Sequence, residues 1–183
     1  MKQIKQLTFL LGNKLMLNIT KAIQSTAILL SSKPIVCIEL LRMLYTADLL
    51  ALISMGKTIT GDCYLCTEQG IVPKSIYQLV KREVVDDSFL IWSKFITTSE
   101  DYIKLISQPG KDSLCEEEEI ILMDTYYLFK DINNLLPKPF IPTFIGNVIT
   151  AEQLLDYLDV NFFDRNYIKE TLNMESYLDT MLS

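Results

Sequence analysis

Residues 40–77, LLRMLYTADLLALISMGKTITGDCYLCTEQGIVPKSIY, constrain the fold more than any other stretch of this chain. Ile38, Leu41, Tyr45, Leu49 and Leu52 recur at the three-to-four spacing of one helix face, so residues 36–55 read as a central core helix. Gly56 ends it as a left-handed cap. One carboxylate, Asp48, lies close to that apolar stripe, a turn beyond Leu44 and Tyr45 and a turn before Leu52. A carboxylate buried there is costly unless donors meet it. The nearest donors are the Thr60 hydroxyl and the backbone N–H groups of the Thr60-Gly61-Asp62 turn. Asp48 therefore reads as a latch that holds the turn to the helix, with direct contact to a partner as the alternative reading.

After the turn, residues 57–60 and 63–67 are expected to pair as a hairpin around Gly61 and Asp62, with Gly61 supplying a positive φ. Gly70 breaks the chain again. Pro73 has no N–H to lose at the first turn of a helix, so it opens one over residues 74–84, with Ile76, Leu79 and Val80 inward and Tyr77 partly exposed. Upstream, Asn18 caps a helix over residues 19–30, which Ser31, Ser32, Lys33 and Pro34 end. Downstream, residues 89–96 and 102–106 are rich in β-branched and aromatic types and read as a second hairpin, anchored to the core by Trp92.

Four glutamates, Glu116 to Glu119, precede an apolar run from Ile120 to Phe129, and the helix they open is expected to end near Asn133 and Asn134. Carboxylates in a first turn favour the helix dipole. Consecutive carboxylates fan around a helix and do not converge on a metal. Pro137, Pro139 and Pro142 mark an extended linker. Thr150 and Gln153 form a capping box for a helix over residues 151–158, and two short helices at 165–172 and 175–181 follow. The fold class is thus mainly α (α+β): a single helical domain with one or two small antiparallel β-hairpins. Residues 1–15 read as an extension or a start placed too far upstream, and 16–183 as one domain, with a more divergent helical part from about 137.

Composition narrows the function. A chain of 183 residues, 49% hydrophobic, suits one domain with a real core. It has no histidine, which removes Ser-His-Asp and Cys-His catalysis and every histidine-ligated metal site. No Gly-rich phosphate loop occurs. Cys63 and Cys66 form a CxxC, but zinc would then need Cys37 and Cys115, which lack paired spacing, and a strand projects positions i and i+3 to opposite faces. Buried reduced thiols are the simpler reading. No cofactor and no metal is expected.

Charge is uneven along the chain. Residues 1–85 carry 10 Lys+Arg and 5 Asp+Glu, a net of +5, whereas residues 86–183 carry 7 and 18, a net of −11. An acidic face argues against nucleic acid as the main ligand and favours a basic protein partner. The apolar run near the N-terminus is interrupted by Asn13 and Lys14, too early for a secretory leader, and no uncharged run approaches a membrane span. A cytoplasmic protein without a membrane partner is the expectation.

The order of these elements resembles the Panacea domain of phage-associated type II antitoxins. That family shows a Leu-Leu-Tyr-x-Ala-Asp helix, a Gly-x-x-Ile-Thr-Gly-Asp-x-Tyr hairpin and a Gly-Pro-Val-Pro-x-x-Ile-Tyr helix start. Leu44, Tyr45, Ala47, Asp48, Gly56, Ile59, Thr60, Gly61, Asp62, Tyr64, Gly70, Val72, Pro73, Ile76 and Tyr77 match the pattern. Leu49, Ala51, Lys57, Thr58 and Ile71 depart from it, as does the loss of a late Thr-His motif near whose place Pro137 to Pro142 stand. These departures remove polar groups and keep the glycines and the packing. The resemblance implies a non-enzymatic antitoxin that neutralises a co-encoded protein toxin by direct binding. It also implies an ATP-dependent protease, to which some members hand the toxin. The motif residues expected to serve structure or partner binding are Tyr45, Asp48, Thr60, Gly61, Asp62, Tyr64, Gly70, Val72, Pro73 and Tyr77. Two alternatives stand beside this reading: an adaptor without a co-encoded toxin that delivers a bound protein to a protease, and an enzyme using Asp48 and Asp62 as an acid–base pair.

Overall fold

The structure, a computed structural model, describes residues 17–31, 33–131 and 145–155. Residues 1–15, Met16, the Pro137–Pro142 linker and the helices expected at 165–172 and 175–181 lie outside the described residues, as do the far ends of the helices expected to reach 133–134 and 158. The described elements run α1 (Ile19–Leu29), β1 (Ile35–Val36), α2 (Cys37–Met55), β2 (Tyr64–Thr67), β3 (Gly70–Pro73), α3 (Lys74–Lys81), α4 (Asp87–Trp92), β4 (Ile96–Ser99), β5 (Tyr102–Leu105), α5 (Glu116–Asp131), β6 (Val148–Ile149) and α6 (Ala151–Leu155). The class is mixed α+β, with two small three-stranded antiparallel sheets ordered β1-β5-β4 and β3-β2-β6.

Helix α2 is the axis of the molecule. Leu40, Leu44, Ala47 and Ala51 are buried at helical spacing, and Leu41 and Leu52 join them. Ile38, Tyr45 and Leu49 of the stripe read from sequence are only half-buried. The helix is wrapped on two sides. The main core contributes Val72, Ile76, Trp92, Ile96, Ile103, Leu122 and Phe129. A second cluster, built by Tyr64, Cys66, Ile71, Ile149, Leu154 and Leu155, packs on Leu52, Tyr45 and Leu49. A helix apolar on most of its circumference belongs in such an interior position. Gly56 then ends it at φ 74 with its N–H on the Leu52 carbonyl.

Several expectations hold at atomic detail. The Asn18 side chain accepts the Lys21 N–H at 3.0 Å and caps α1. Thr150 and Gln153 exchange the two bonds of a capping box, 3.0 and 3.2 Å.

Three expectations are corrected. Residues 57–60 form no strand. The Ile59 and Thr60 amides point at the Asp48 carboxylate and so cannot serve a ladder. The partner of β2 is β3, with Leu65 opposite Val72 and Thr67 opposite Gly70. Gly70 therefore begins a strand, across a tight turn where Thr67 Oγ1 donates to the Gly70 carbonyl and accepts the Gln69 N–H. Second, residues 89–96 are not one strand. Asp86 accepts the Phe89 N–H at 3.0 Å and caps the short helix α4, a local bond that outweighs the β propensity of the stretch. Trp92 is buried in the main core from that helix, and the hairpin is β4 with β5. Third, α3 stops at Lys81, because Arg82 turns left-handed at φ 56 and its guanidinium donates to the Thr98 carbonyl.

Candidate functional site

The polar motif residues Asp48, Thr60 and Asp62 converge between α2, the turn after it and the start of α3. Asp48 points from the middle of α2 into the 59–62 turn. Its Oδ1 accepts the Ile59 and Thr60 amides, both at 2.9 Å, and its Oδ2 accepts the Thr60 hydroxyl and, at 3.2 Å, the Tyr64 hydroxyl. The donors are thus Ile59, Thr60 and Tyr64; the Gly61 and Asp62 amides play no part with Asp48. Gly61 carries the turn at φ 67, a conformation that costs an L-residue about 1–2 kcal/mol.

Thr60 joins the pieces. Its hydroxyl also accepts the Asp62 N–H at 3.3 Å, and its carbonyl accepts the Asn18 N–H at 2.9 Å, tying the entry of α1 to the turn. Asp62 then reaches forward. Its Oδ1 accepts the Cys63 N–H at 2.9 Å, while Oδ2 accepts the Ser75 and Ile76 amides at 2.8 and 3.1 Å. Pro73 occupies the N-cap position of α3 and offers no side-chain acceptor. Asp62 supplies the missing cap from eleven residues upstream, which also meets the positive end of the helix dipole. Sequence reading missed this role. The signal was available: a helix opened by proline must find its acceptor elsewhere.

Of the other motif residues, Tyr45 stacks edge-on against Tyr64 with ring centroids 5.6 Å apart. Val72 is fully buried in the main core, and Gly70 and Pro73 are buried in β3. Tyr77 stays half-buried, packed against the main core. A second polar latch escaped the sequence reading. Glu118 is completely buried, its Oε1 2.6 Å from Lys21 Nζ and its Oε2 accepting the Cys115 N–H at 3.0 Å. Beside it Gln24 donates to Asp112 and accepts the Ser113 N–H. The three-residue spacing of Cys115 and Glu118 is that of a capping box, hidden within a run of four glutamates.

The electrostatics follow from burial. Asp48 has none of its surface exposed and Asp62 only 1%. Loss of hydration lifts the Asp48 pKa from 3.8 to about 6 against the pull of the Thr60 and Ile59 bonds, and the nearby Asp62 adds to the rise. Asp62 is raised for the same main reason, opposed by the Ile76, Ser75 and Cys63 donors. Tyr64 is raised by burial first and by Asp48 second; burial pushes Tyr45 up to about 12. Burial also raises Cys37, Cys63 and Cys66, the opposite of what an activated thiolate needs. Among the described residues no three His, Cys, Asp or Glu side chains gather as metal ligands, and no helix is long and apolar enough to cross a membrane. The network's chemistry is cohesion: every oxygen of both carboxylates is spent on a backbone or hydroxyl donor of the same fold.

No curated protein and no solved structure matches the chain. The family model described as antitoxin SocA-like, Panacea domain, matches residues 40–135, just over half of the 183 residues and the span from the first turn of α2 through α5. With its Asp48–Thr60–Asp62 network inside that span, the chain belongs to the SocA-like antitoxin family of Panacea domains.

Proposed function

We propose that this protein is an antitoxin that neutralises a co-encoded protein toxin by binding it directly, in the cytoplasm and without catalysis. The family match over residues 40–135 carries the reading. Burial of Asp48 and Asp62 supports a non-enzymatic role, since neither carboxylate has surface for a substrate. Contact with the toxin then falls to side chains outside this network. Toxin transfer to an ATP-dependent protease is an added step that some relatives of this kind would take, and it needs no further catalytic group on this chain. The acidic second half, net −11 over residues 86–183, suits a basic protein better than nucleic acid.

Co-expression with each flanking gene in a heterologous bacterium tests the proposal. Growth arrest by one neighbour alone, relieved by this protein, is the expected result. If both neighbours are harmless alone, the antitoxin reading fails and an adaptor without a toxin takes its place.

A further inference from the structure

Helix α5 has two faces of opposite character. Glu118, Leu122, Thr125 and Phe129 follow helical spacing and are buried against the rest of the fold. On the other side Ile120, Met123 and Tyr127, spaced by three and four, share one stripe with 53%, 37% and 50% of their surfaces exposed. Three such side chains in one line form a continuous apolar strip about two turns long, unlike a singly exposed leucine. The strip is bordered by carboxylates: Glu116, Glu117 and Asp124 are all exposed on the same side of the helix, against Lys130 near its end.

We propose that this outer face of α5 is the docking surface for a basic amphipathic segment of the partner protein. Apolar side chains of that segment cover Ile120, Met123 and Tyr127, and its lysines or arginines meet Glu116, Glu117 and Asp124. Charge complementarity selects the occupant. A second copy of this chain could set Lys130 against Glu116 or Glu117, but each face carries three carboxylates to that one lysine, and the net like charge across such an interface is penalised. Tyrosine and methionine are enriched in the cores of interfaces, and an apolar line at three-and-four spacing is the pattern by which one helix receives another. The proposal rests on the antitoxin reading and specifies where that binding occurs.

The test uses the full chain and the purified product of each flanking gene, with affinity read by calorimetry. Ile120→Arg with Tyr127→Arg is expected to weaken binding at least tenfold. Glu116→Gln, Glu117→Gln and Asp124→Asn together are expected to weaken binding at low salt and flatten the salt dependence of the affinity. Leu90→Arg, an exposed apolar site on α4, serves as the control and leaves affinity unchanged. Unchanged affinity in the arginine variant overturns the proposal while the antitoxin reading stands. A sharp fall in its melting temperature means that the chain's own residues cover the face, and a dimer that this variant dissociates means a second copy does; either overturns it. If neither flanking product binds the unaltered protein, the antitoxin reading itself fails and this surface assignment falls with it.

Discussion

Asp48 and Thr60 are joined at two points of the threonine: its amide donates to Oδ1 at 2.9 Å and its hydroxyl donates to Oδ2. The chain between them, eleven residues of helix end and turn, is thereby closed into a loop fastened at its base. Removing the carboxylate strands four buried donors at once, those of Ile59, Thr60 (two) and Tyr64. Asp48→Ala is therefore expected to destabilise the protein by about 3 kcal/mol, near the upper end for an unmade buried bond. Asp48→Asn keeps the Oδ1 acceptor and can donate toward Thr60 and Tyr64, so at pH 7 its loss should stay under about 1 kcal/mol. Urea denaturation of both variants checks the order; equal losses would show that the bonds at Oδ1 contribute nothing.

The same carboxylate sets a pH dependence. The folded pKa of Asp48 stands at about 6 against an ordinary 3.8, so between those values the folded state binds the extra proton. A raised acid pKa gives stability that is complete below about pH 4 and lost as pH rises through 6. A shift of this size corresponds to about 3 kcal/mol. Asp62 moves in the same direction and adds to it. Unfolding free energy measured at pH 5 should thus exceed that at pH 7.5, and Asp48→Asn should remove most of the slope. A wild-type profile that is flat across this window would contradict the burial argument.

Asp62 gives a local prediction. Its Oδ2 accepts the Ser75 and Ile76 amides, the first free donors of α3. Asp62→Ala should cost about 1–2 kcal/mol, the value of a lost N-cap. Amide hydrogen exchange at Ser75 and Ile76 should accelerate while that of Leu44 and Ala47 in α2 tracks only the global change. Uniform acceleration everywhere would mean that α3 has no independent fraying and that the cap is simply part of the core.

How much of this was legible in the chain depends on where each bond closes. The α2 helix, its Gly56 cap, the Asn18 cap and the Thr150–Gln153 box are local, decided within about four residues, and could be read directly. Asp48 stood out because a carboxylate on an apolar stripe demands donors. The pairing of β2 was misassigned because two glycines competed for the turn, and what decided it was the long-range claim of Asp48 on the Ile59 and Thr60 amides. Residues 89–96 carry strand propensity that a single Asp86 cap overrides. Glu118 was invisible for another reason: four identical residues in a row carry no phase, and only the packing of α1 against α5 selects the one that faces Lys21.

That selection can be tested by a double-mutant cycle. Glu118 is fully buried, whereas the Lys21 side chain keeps 22% of its surface exposed, so the two partners do not lose equally when unpaired. Glu118→Leu leaves an ammonium that can turn toward water and one unmet Cys115 amide; a loss of about 2 kcal/mol is expected. Lys21→Met leaves a carboxylate in the interior with only the Cys115 N–H for company, and should cost more, about 3–5 kcal/mol. The double variant removes both charges and replaces them with apolar groups, so it should recover much of the loss and fall well short of the sum of the singles. Thermal and urea unfolding of the four proteins give the coupling directly. Additive losses would mean that Glu118 is held by the Cys115 amide alone and that Lys21 is a bystander.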